Sequence, residues 1–330
     1  MQKSAQHSFF IQRRLALAAI GLAALPLRAR SQTFPDRAIR ILVGFSAGSP
    51  SDLLARALAD KLTHSLGQPA VVENKPGAGG ILAVRTLLQS PSDGHTLLVV
   101  SAAHAAAPVV MRNPGFDAIR DLAGITRIAN VPSVLVVNPK LSIHTLGELV
   151  ARLKQAPGAM NFSTPGKGSA NHFGTEYFLA QAKAQATHVP YKGVPEAVTA
   201  VLSGECQFSL VPAPNALQLI KGGQVAALAV CTATRATVLP QVPTIAEAGI
   251  AGFRFDPWFG VLTQAAVPPA ARAKLIAAST TALAAPDMRT RFAMIGAEIS
   301  PLPGERFDAY IQAEIAKFRY IAASAGIEAS

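Results

Sequence analysis

The residues of this sequence that most clearly suggest chemistry are Gly44-Phe45-Ser46-Ala47-Gly48, which fit the pattern G-x-S-x-G. They lie between an apolar run and a helical stretch, where a serine hydrolase carries its nucleophile, and Asp and His residues follow in the required order. However, no HGGG-like segment is present, and no strand predicted before this loop could supply the oxyanion site. An esterase-type enzyme is therefore an alternative and not the leading hypothesis.

The same loop also suits anion binding. Gly48 lets the backbone approach a ligand, Ser46, Ser49 and Ser51 offer hydroxyls, and Asp52 could cap the following helix. Unpaired N–H groups at a helix start favour a carboxylate. Loops of similar small residues recur after other apolar runs, at 76–80, 101–104 and 163–169.

Two other local patterns could indicate a different kind of site. The segment Pro76–Gly80 does not make a dinucleotide-binding G-x-G-x-x-G motif, because Leu82 occupies the last glycine position. Ser169 and His172 are three residues apart and could share one helix face. As a catalytic pair they have no orienting acid nearby in sequence, so they could equally be a polar helix face along a crevice.

The elements that would position these loops alternate between strands and helices. Continuous apolar runs predict buried parallel strands, and the periodic stretches between them predict helices. Predicted strands are 39–45, 70–73, 96–100, 134–137, 160–163, 188–191, 207–211 and 226–231, and predicted helices are 53–66, 81–89, 145–154, 170–182 and 197–202. The tail from 269 to 325 is predicted to be largely helical, with breaks at its prolines.

This alternation predicts an α/β fold with a mainly parallel sheet in each of two lobes. We expect the chain to cross between the lobes near 130–133 and 253–258. The first lobe would then comprise residues 32–131 plus 257–330, and the second lobe residues 132–256. Ligands of open α/β sheets bind beyond the carboxyl ends of the strands, which is where the small-residue loops are predicted to lie.

The N-terminus predicts export. Lys3, Arg13 and Arg14 precede an apolar stretch from Leu15 to Leu27, and Ala29-Arg30-Ser31 ends it with small residues, as in a signal peptide spanning residues 1–31. Residues 1–31 hold five basic and no acidic residues, so cleavage lowers the formal charge from +11 to +6 (11 − 5). The expected location is the periplasm.

Composition and residue spacing argue against several other classes of function. The remaining charges are scattered and not interleaved with aromatic residues, which argues against a nucleic-acid partner. No Cys or His cluster has metal-ligand spacing, and no cofactor is expected. The two cysteines, Cys206 and Cys231, lie in apolar runs, so both a disulfide and two buried thiols stay open.

Several strings along the chain resemble one family. They are Phe34-Pro35-Asp36-Arg37, Phe45-Ser46-Ala47-Gly48 with Asp52, Val72-Glu73-Asn74-Lys75-Pro76-Gly77-Ala78-Gly79-Gly80, Asp93-Gly94-His95-Thr96-Leu97-Leu98, Val189-Pro190-Tyr191-Lys192-Gly193, and Leu239-Pro240-Gln241-Val242-Pro243-Thr244-Ile245-Ala246-Glu247-Ala248-Gly249. In this order they resemble the periplasmic solute receptors of tripartite tricarboxylate transporters, the Bug receptors.

The resemblance implies a two-lobed, type II-like Venus-flytrap receptor that is not an enzyme. Such a receptor holds a small carboxylate and delivers it to the membrane subunits of its transporter; a sensor subunit of the same fold is the alternative. We expect a monomer. By position, the binding residues would be Phe45, Ser46, Gly48, Ser49, Ser101, His104, Thr164, Gly166, Ser169 and His172.

Three departures from the family pattern bear on the ligand. Gly44 stands where proline is usual, and Ser49 replaces a glycine of the first loop. Val211 stands where many members carry an aspartate that can meet an amino group of the ligand. The resemblance thus predicts a di- or tricarboxylate, or an aromatic acid, without a cationic amine.

Overall fold

The computed structural model describes residues 34–327 and 329, and from Arg37 onward these form one compact unit. The predicted signal peptide lies outside the described residues. Within them, no helix is long and apolar enough to cross a membrane.

Ten α-helices and eleven strands are present in this part of the chain. The strands are β1 (Ile39–Val43), β2 (Ala70–Asn74), β3 (Thr96–Ser101), β4 (Leu122–Asn130), β5 (Ser133–Val137), β6 (Asn161–Thr164), β7 (Thr187–Pro190), β8 (Phe208–Pro212), β9 (Ala226–Val230), β10 (Trp258–Gln264) and β11 (Glu298–Pro303). The helices are α1 (Pro50–Leu66), α2 (Ile81–Leu88), α3 (Ala103–Val110), α4 (Leu146–Gln155), α5 (Ala170–Ala182), α6 (Val194–Ser203), α7 (Ala213–Lys221), α8 (Pro269–Ala284), α9 (Pro286–Met294) and α10 (Glu305–Ala325).

The strands form two sheets, and each sheet is the centre of one lobe. The first has the order β11-β4-β10-β3-β1-β2. Its strands β2, β1 and β3 are parallel, β10 is antiparallel to β3 and β4, and β11 is antiparallel to β4. The second has the order β7-β6-β8-β5-β9, in which β7, β6 and β8 are parallel and β5 is antiparallel to both neighbours. The two-lobed α/β architecture is confirmed, with mixed sheets.

The antiparallel pairs arise where the chain changes lobe. It leaves the first sheet after Asn130, enters the second at Ser133, and returns to the first at Trp258. Because a strand that enters from the other lobe is not preceded by a βαβ crossover, it is free to run against its neighbours. The parallel strands of each sheet have their carboxyl ends at one edge, and the small-residue loops follow these ends.

The prediction for the tail missed β11, and β4 and β10 were also not predicted. Pro301 and Pro303 interrupt the apolar pattern of β11, and a proline cannot donate to a strand ladder. The structure accommodates them because β11 lies at the edge of the first sheet and pairs only with β4.

The last helix connects the cores of the two lobes. On α10, Phe307 lies edge-on to Trp258 of β10 (5.4 Å between ring centroids), and Phe318 lies edge-on to Phe173 of α5 (4.7 Å). Between them Glu314 accepts a hydrogen bond from Trp258 Nε1 at 3.0 Å. The single tryptophan of the chain, Trp258, is fully buried beside the crossing.

Candidate functional site

The first-lobe loop, residues 44–49, leaves β1 and leads into α1. A Cβ on Gly44 would lie 2.5 Å from Gly80 Cα, so the loops that follow β1 and β2 touch through their backbones. This contact requires glycine at position 44. The side chain of Phe45 lies over the same contact, because a Cβ on Gly80 would be 3.8 Å from Phe45 Cε2.

A buried carboxylate holds this loop. Asp52 is 2% exposed; its Oδ2 accepts from the Gly48 N–H (2.9 Å) and from Arg56 Nε (3.0 Å), and its Oδ1 accepts from Asn74 Nδ2 (3.0 Å). Asn74 Nδ2 also donates to the Phe45 carbonyl at 3.0 Å. Burial alone would raise the pKa of Asp52, but these hydrogen bonds outweigh it and hold the pKa below its usual value.

The prediction that Asp52 caps α1 is wrong. The cap is Ser49, whose hydroxyl accepts from the Asp52 N–H at 3.3 Å, while the Asp52 side chain reaches back to Gly48. Asp52 is paired with Arg56, so its charge is balanced and does not repel an anion at the helix start. Ser46 and Gly48 themselves are exposed.

The end of β3 supplies two further predicted residues. Ser101 and His104 line a cavity of about 20 Å³ together with Phe45 and Gly80, which is room for one water molecule. The His104 side chain is buried, and neither ring nitrogen makes a hydrogen bond within the described residues. Desolvation lowers the pKa of His104 to about 4, and the Ala118 backbone, which lies near the ring but outside hydrogen-bond geometry, opposes this to a smaller extent.

The second-lobe loop, residues 165–169, leaves β6 and leads into α5. The Thr164 hydroxyl is fully buried; it lies 2.6 Å from His188 Nε2 and accepts from the Gly166 N–H at 3.2 Å. Ser169 is the N-cap of α5 and accepts from the His172 N–H at 3.2 Å. The hydroxyls of Thr164 and Ser169 therefore shape the loop from inside.

His172 also faces the protein interior. It is 3% exposed, stacks on His188 with 4.1 Å between ring centroids, and its Nδ1 accepts from the Gly168 N–H at 3.3 Å. Desolvation, reinforced by His188 and Lys167, lowers its pKa to about 3. At neutral pH the ring is uncharged, so it offers an acceptor and no positive charge to an anion.

One close approach joins the second-lobe loop to the first lobe. A Cβ on Gly168 of the second-lobe loop would lie 3.3 Å from Val110 Cγ2, at the end of α3 in the first lobe. The loops after β1 and β3 meet at the cavity that Phe45, Ser101 and His104 line. Within the predicted set, Ser46 and Gly48 are exposed on the loop surface, whereas Thr164, Ser169 and His172 direct their polar atoms inward.

Three supporting residues were not predicted: Arg56, Asn74 and His188. Asn74 ends β2 and His188 lies in β7, so their position near the carboxyl ends of parallel strands was a usable signal. Arg56 lies four residues after Asp52 on α1, a spacing typical of a helical ion pair.

The arrangement does not build a serine hydrolase. The two histidines near the loops are not bonded to Ser46, since His104 has no partner among the described residues and His172 accepts from Gly168. Cys206 and Cys231 are both buried and not joined in a disulfide. The described residues contain no group of three or more His, Cys, Asp or Glu placed to hold a metal ion.

Comparison with known proteins places this geometry in one family. The model of the tripartite tricarboxylate transporter family receptor matches residues 54–327. BugT of Bordetella pertussis is 37% identical over 255 residues, which are 77% of this chain and 77% of that protein.

Solved structures agree. The structure of Rpa4515 from R. palustris with adipate has a TM-score of 0.79 and 30% identity, covering 90% of this chain and 100% of that one. MatC from Rhodopseudomonas palustris with bound malate has a TM-score of 0.75 and 29% identity, covering 87% and 99%. These are solute-binding receptors and not enzymes. The chain belongs to the tripartite tricarboxylate transporter receptor family of periplasmic binding proteins.

Proposed function

We propose that this protein captures a small carboxylate without a cationic amine in the crevice between its lobes and delivers it to the membrane subunits of a tripartite transporter. It acts in the periplasm as a monomer, after removal of residues 1–31, and takes no nucleic acid or cofactor.

The observation that supports this proposal is that each lobe has a long helix whose start follows the carboxyl end of a parallel strand, and we place the ligand between these two helix starts. The first-lobe loop precedes the 17-residue α1 and the second-lobe loop precedes the 13-residue α5. The first N–H groups of a helix have no partner inside it, and together they favour a negative charge. Buried Asp52 and His172 hold the two loop backbones in place, so little reorganisation is needed when an acid binds.

We infer from Val211 that the ligand carries no cationic amine. This side chain is 1% exposed and packs in an apolar cluster that includes Val134 and Val230. A ligand ammonium at this position would lose water without gaining a carboxylate partner, which is unfavourable. The adipate and malate bound by two relatives are acids of the proposed kind.

The test is a thermal-shift screen of the chain without residues 1–31, refolded to remove carried-over ligand, followed by calorimetry. We expect adipate, malate or another plain carboxylate to raise Tm and to bind without turnover, while lysine and aspartate do neither. Binding of a basic or zwitterionic amino acid in place of plain acids would contradict the proposal. Ester hydrolysis that disappears in Ser46→Ala would instead identify a hydrolase.

A further inference from the structure

Two buried imidazoles lie behind the second-lobe loop. His172 of α5 and His188 of β7 stack with 4.1 Å between ring centroids and 25° between ring planes. Phe162 of β6 stacks on His188 at 4.9 Å and on His172 at 6.4 Å. The three rings form one layer between the sheet and the loop.

Each imidazole holds one N–H group of the loop. His172 Nδ1 accepts the Gly168 N–H directly at 3.3 Å. His188 Nε2 lies 2.6 Å from the Thr164 hydroxyl, which accepts the Gly166 N–H at 3.2 Å and lies 3.3 Å from the Gly166 carbonyl. Gly166 and Gly168 have φ angles of 123° and 81°, a backbone conformation that glycine adopts without a steric penalty but that also leaves it many alternatives. The loop geometry therefore depends on two ring nitrogens.

We propose that His172 and His188 are positioning residues, which fix the second-lobe loop for the ligand through their unprotonated ring nitrogens and thereby set an acid limit on binding. This proposal rests on the proposed function, because the ligand is the acid that the loop receives. Neither histidine needs to touch the ligand.

Burial keeps both rings neutral at ordinary pH. Removal from water, reinforced by Lys167 in the loop and for His172 also by His188, lowers the pKa of His172 to about 3 and that of His188 to about 4. On α5, Glu176 Oε1 lies 3.7 Å from His172 Nε2. Burial raises the pKa of Glu176 to about 7, and Lys154 and Lys183 line the groove that it borders.

Protonation of His172 would replace the acceptor at Nδ1 by a second N–H facing the Gly168 N–H. It would also place a charge against the stacked ring of His188 and near Lys167. Because the unfolded chain binds this proton more tightly, the stability that neutral His172 contributes is complete above pH 6.5 and declines as pH falls, while the loop geometry of the folded molecule is lost only as pH approaches the folded-state value of about 3.

Two substitutions of His172 distinguish the loss of its hydrogen-bond acceptor from the loss of its ring packing. His172→Phe keeps an aromatic ring in the stack and removes the acceptor, whereas His172→Asn can place Oδ1 where Nδ1 lies. We expect His172→Phe to weaken binding of the acid found in the screen by about tenfold, since an amide loses its partner. His172→Asn should stay within about threefold. His188→Gln, which keeps an acceptor near the Thr164 hydroxyl, should also bind better than His188→Phe.

The pH profile gives a readout that packing alone would not move. The affinity ratio of the wild type to His172→Asn, measured with the same acid so that ligand titration cancels, should be constant above about pH 5 and fall as pH approaches the folded-state value of about 3. Circular dichroism at each pH reports the folded fraction. A ratio independent of pH, or His172→Phe binding like the wild type, overturns the proposal.

A second readout needs no ligand. In NMR spectra, His172 should remain neutral with its proton on Nε2 from pH 8 to pH 5, and the Gly168 amide should shift in His172→Phe but not in His172→Asn. If no carboxylate binds the wild type, the proposed function fails, and these spectra still test the loop support. A His172 that is protonated at pH 6, or a Gly168 amide unmoved in His172→Phe, overturns the positioning role.

Discussion

His104 offers the sharpest test of the cavity beside the first-lobe loop. It is 6% exposed, its ring lies parallel to Phe116 at 6.0 Å, and its two nitrogens have no hydrogen-bond partner among the described residues. Unpartnered polar atoms in a buried site cost stability and are retained where they serve a ligand or an ordered water. We therefore expect His104→Leu to stabilise the fold and to weaken binding.

The size of the expected stability change follows from the burial of His104 and from its proton binding. Removing the unpartnered nitrogens should raise the free energy of unfolding at pH 7.5 by about 1–2 kcal/mol. Burial also lowers the pKa of His104 from 6.5 to about 4. The unfolded chain thus binds the proton more tightly, so stability is complete above pH 6.5 and falls as pH drops towards 4. At pH 5 the wild type should have lost about 2 kcal/mol at this one residue, and the variant none.

The assay is urea unfolding of both proteins at pH 7.5 and pH 5.0, with calorimetric titration of the identified acid. His64→Leu is the matched control, because His64 lies exposed on α1 and folding does not remove it from water. The stability advantage of His104→Leu should grow by about 2 kcal/mol on going to pH 5. A difference that does not depend on pH, or a variant less stable than the wild type at pH 7.5, would refute the reasoning.

Two further substitutions test the first-lobe loop. Gly44→Ala would place a Cβ 2.5 Å from Gly80 Cα, so urea unfolding should show a loss of about 1–3 kcal/mol, whereas Gly147→Ala, where nothing lies closer than 4.0 Å, should be neutral or stabilising. Asp52→Asn removes the charge that pairs with Arg56 and holds the Gly48 N–H, so calorimetry should show affinity reduced about tenfold; unchanged affinity would remove the Asp52 network from the site.

Much of the fold could be predicted because its repeating units are local. The apolar run at Ile39 and the helical stretch Ala170–Ala182 correspond to β1 and α5 as observed. The missed strands depend on tertiary context. Pro301 and Pro303 are compatible with β11 only because that strand lies at an edge, and an edge position cannot be read from local pattern.

The candidate site could likewise be predicted only in part. The loops were predicted because small residues follow apolar runs, but the direction of each polar side chain was not. His172 at the start of α5 could face the crevice or the interior with the same spacing from Ser169. Its orientation is decided by His188 and Phe162, which come from neighbouring strands and provide the ring that it stacks on. Asp52 likewise turned to Gly48 because Asn74 of β2 lies beside it.

The most direct test of the central claim is a crystal structure of the chain with the acid identified by the screen. We expect one carboxylate bound between the first-lobe loop at Ser46–Ser49 and the second-lobe loop at Gly166–Ser169, with no lysine or arginine clamp. The Gly168 N–H should remain on His172. An acid bound elsewhere, such as in the groove bordered by Lys154, Glu176 and Lys183, would contradict the proposed binding site.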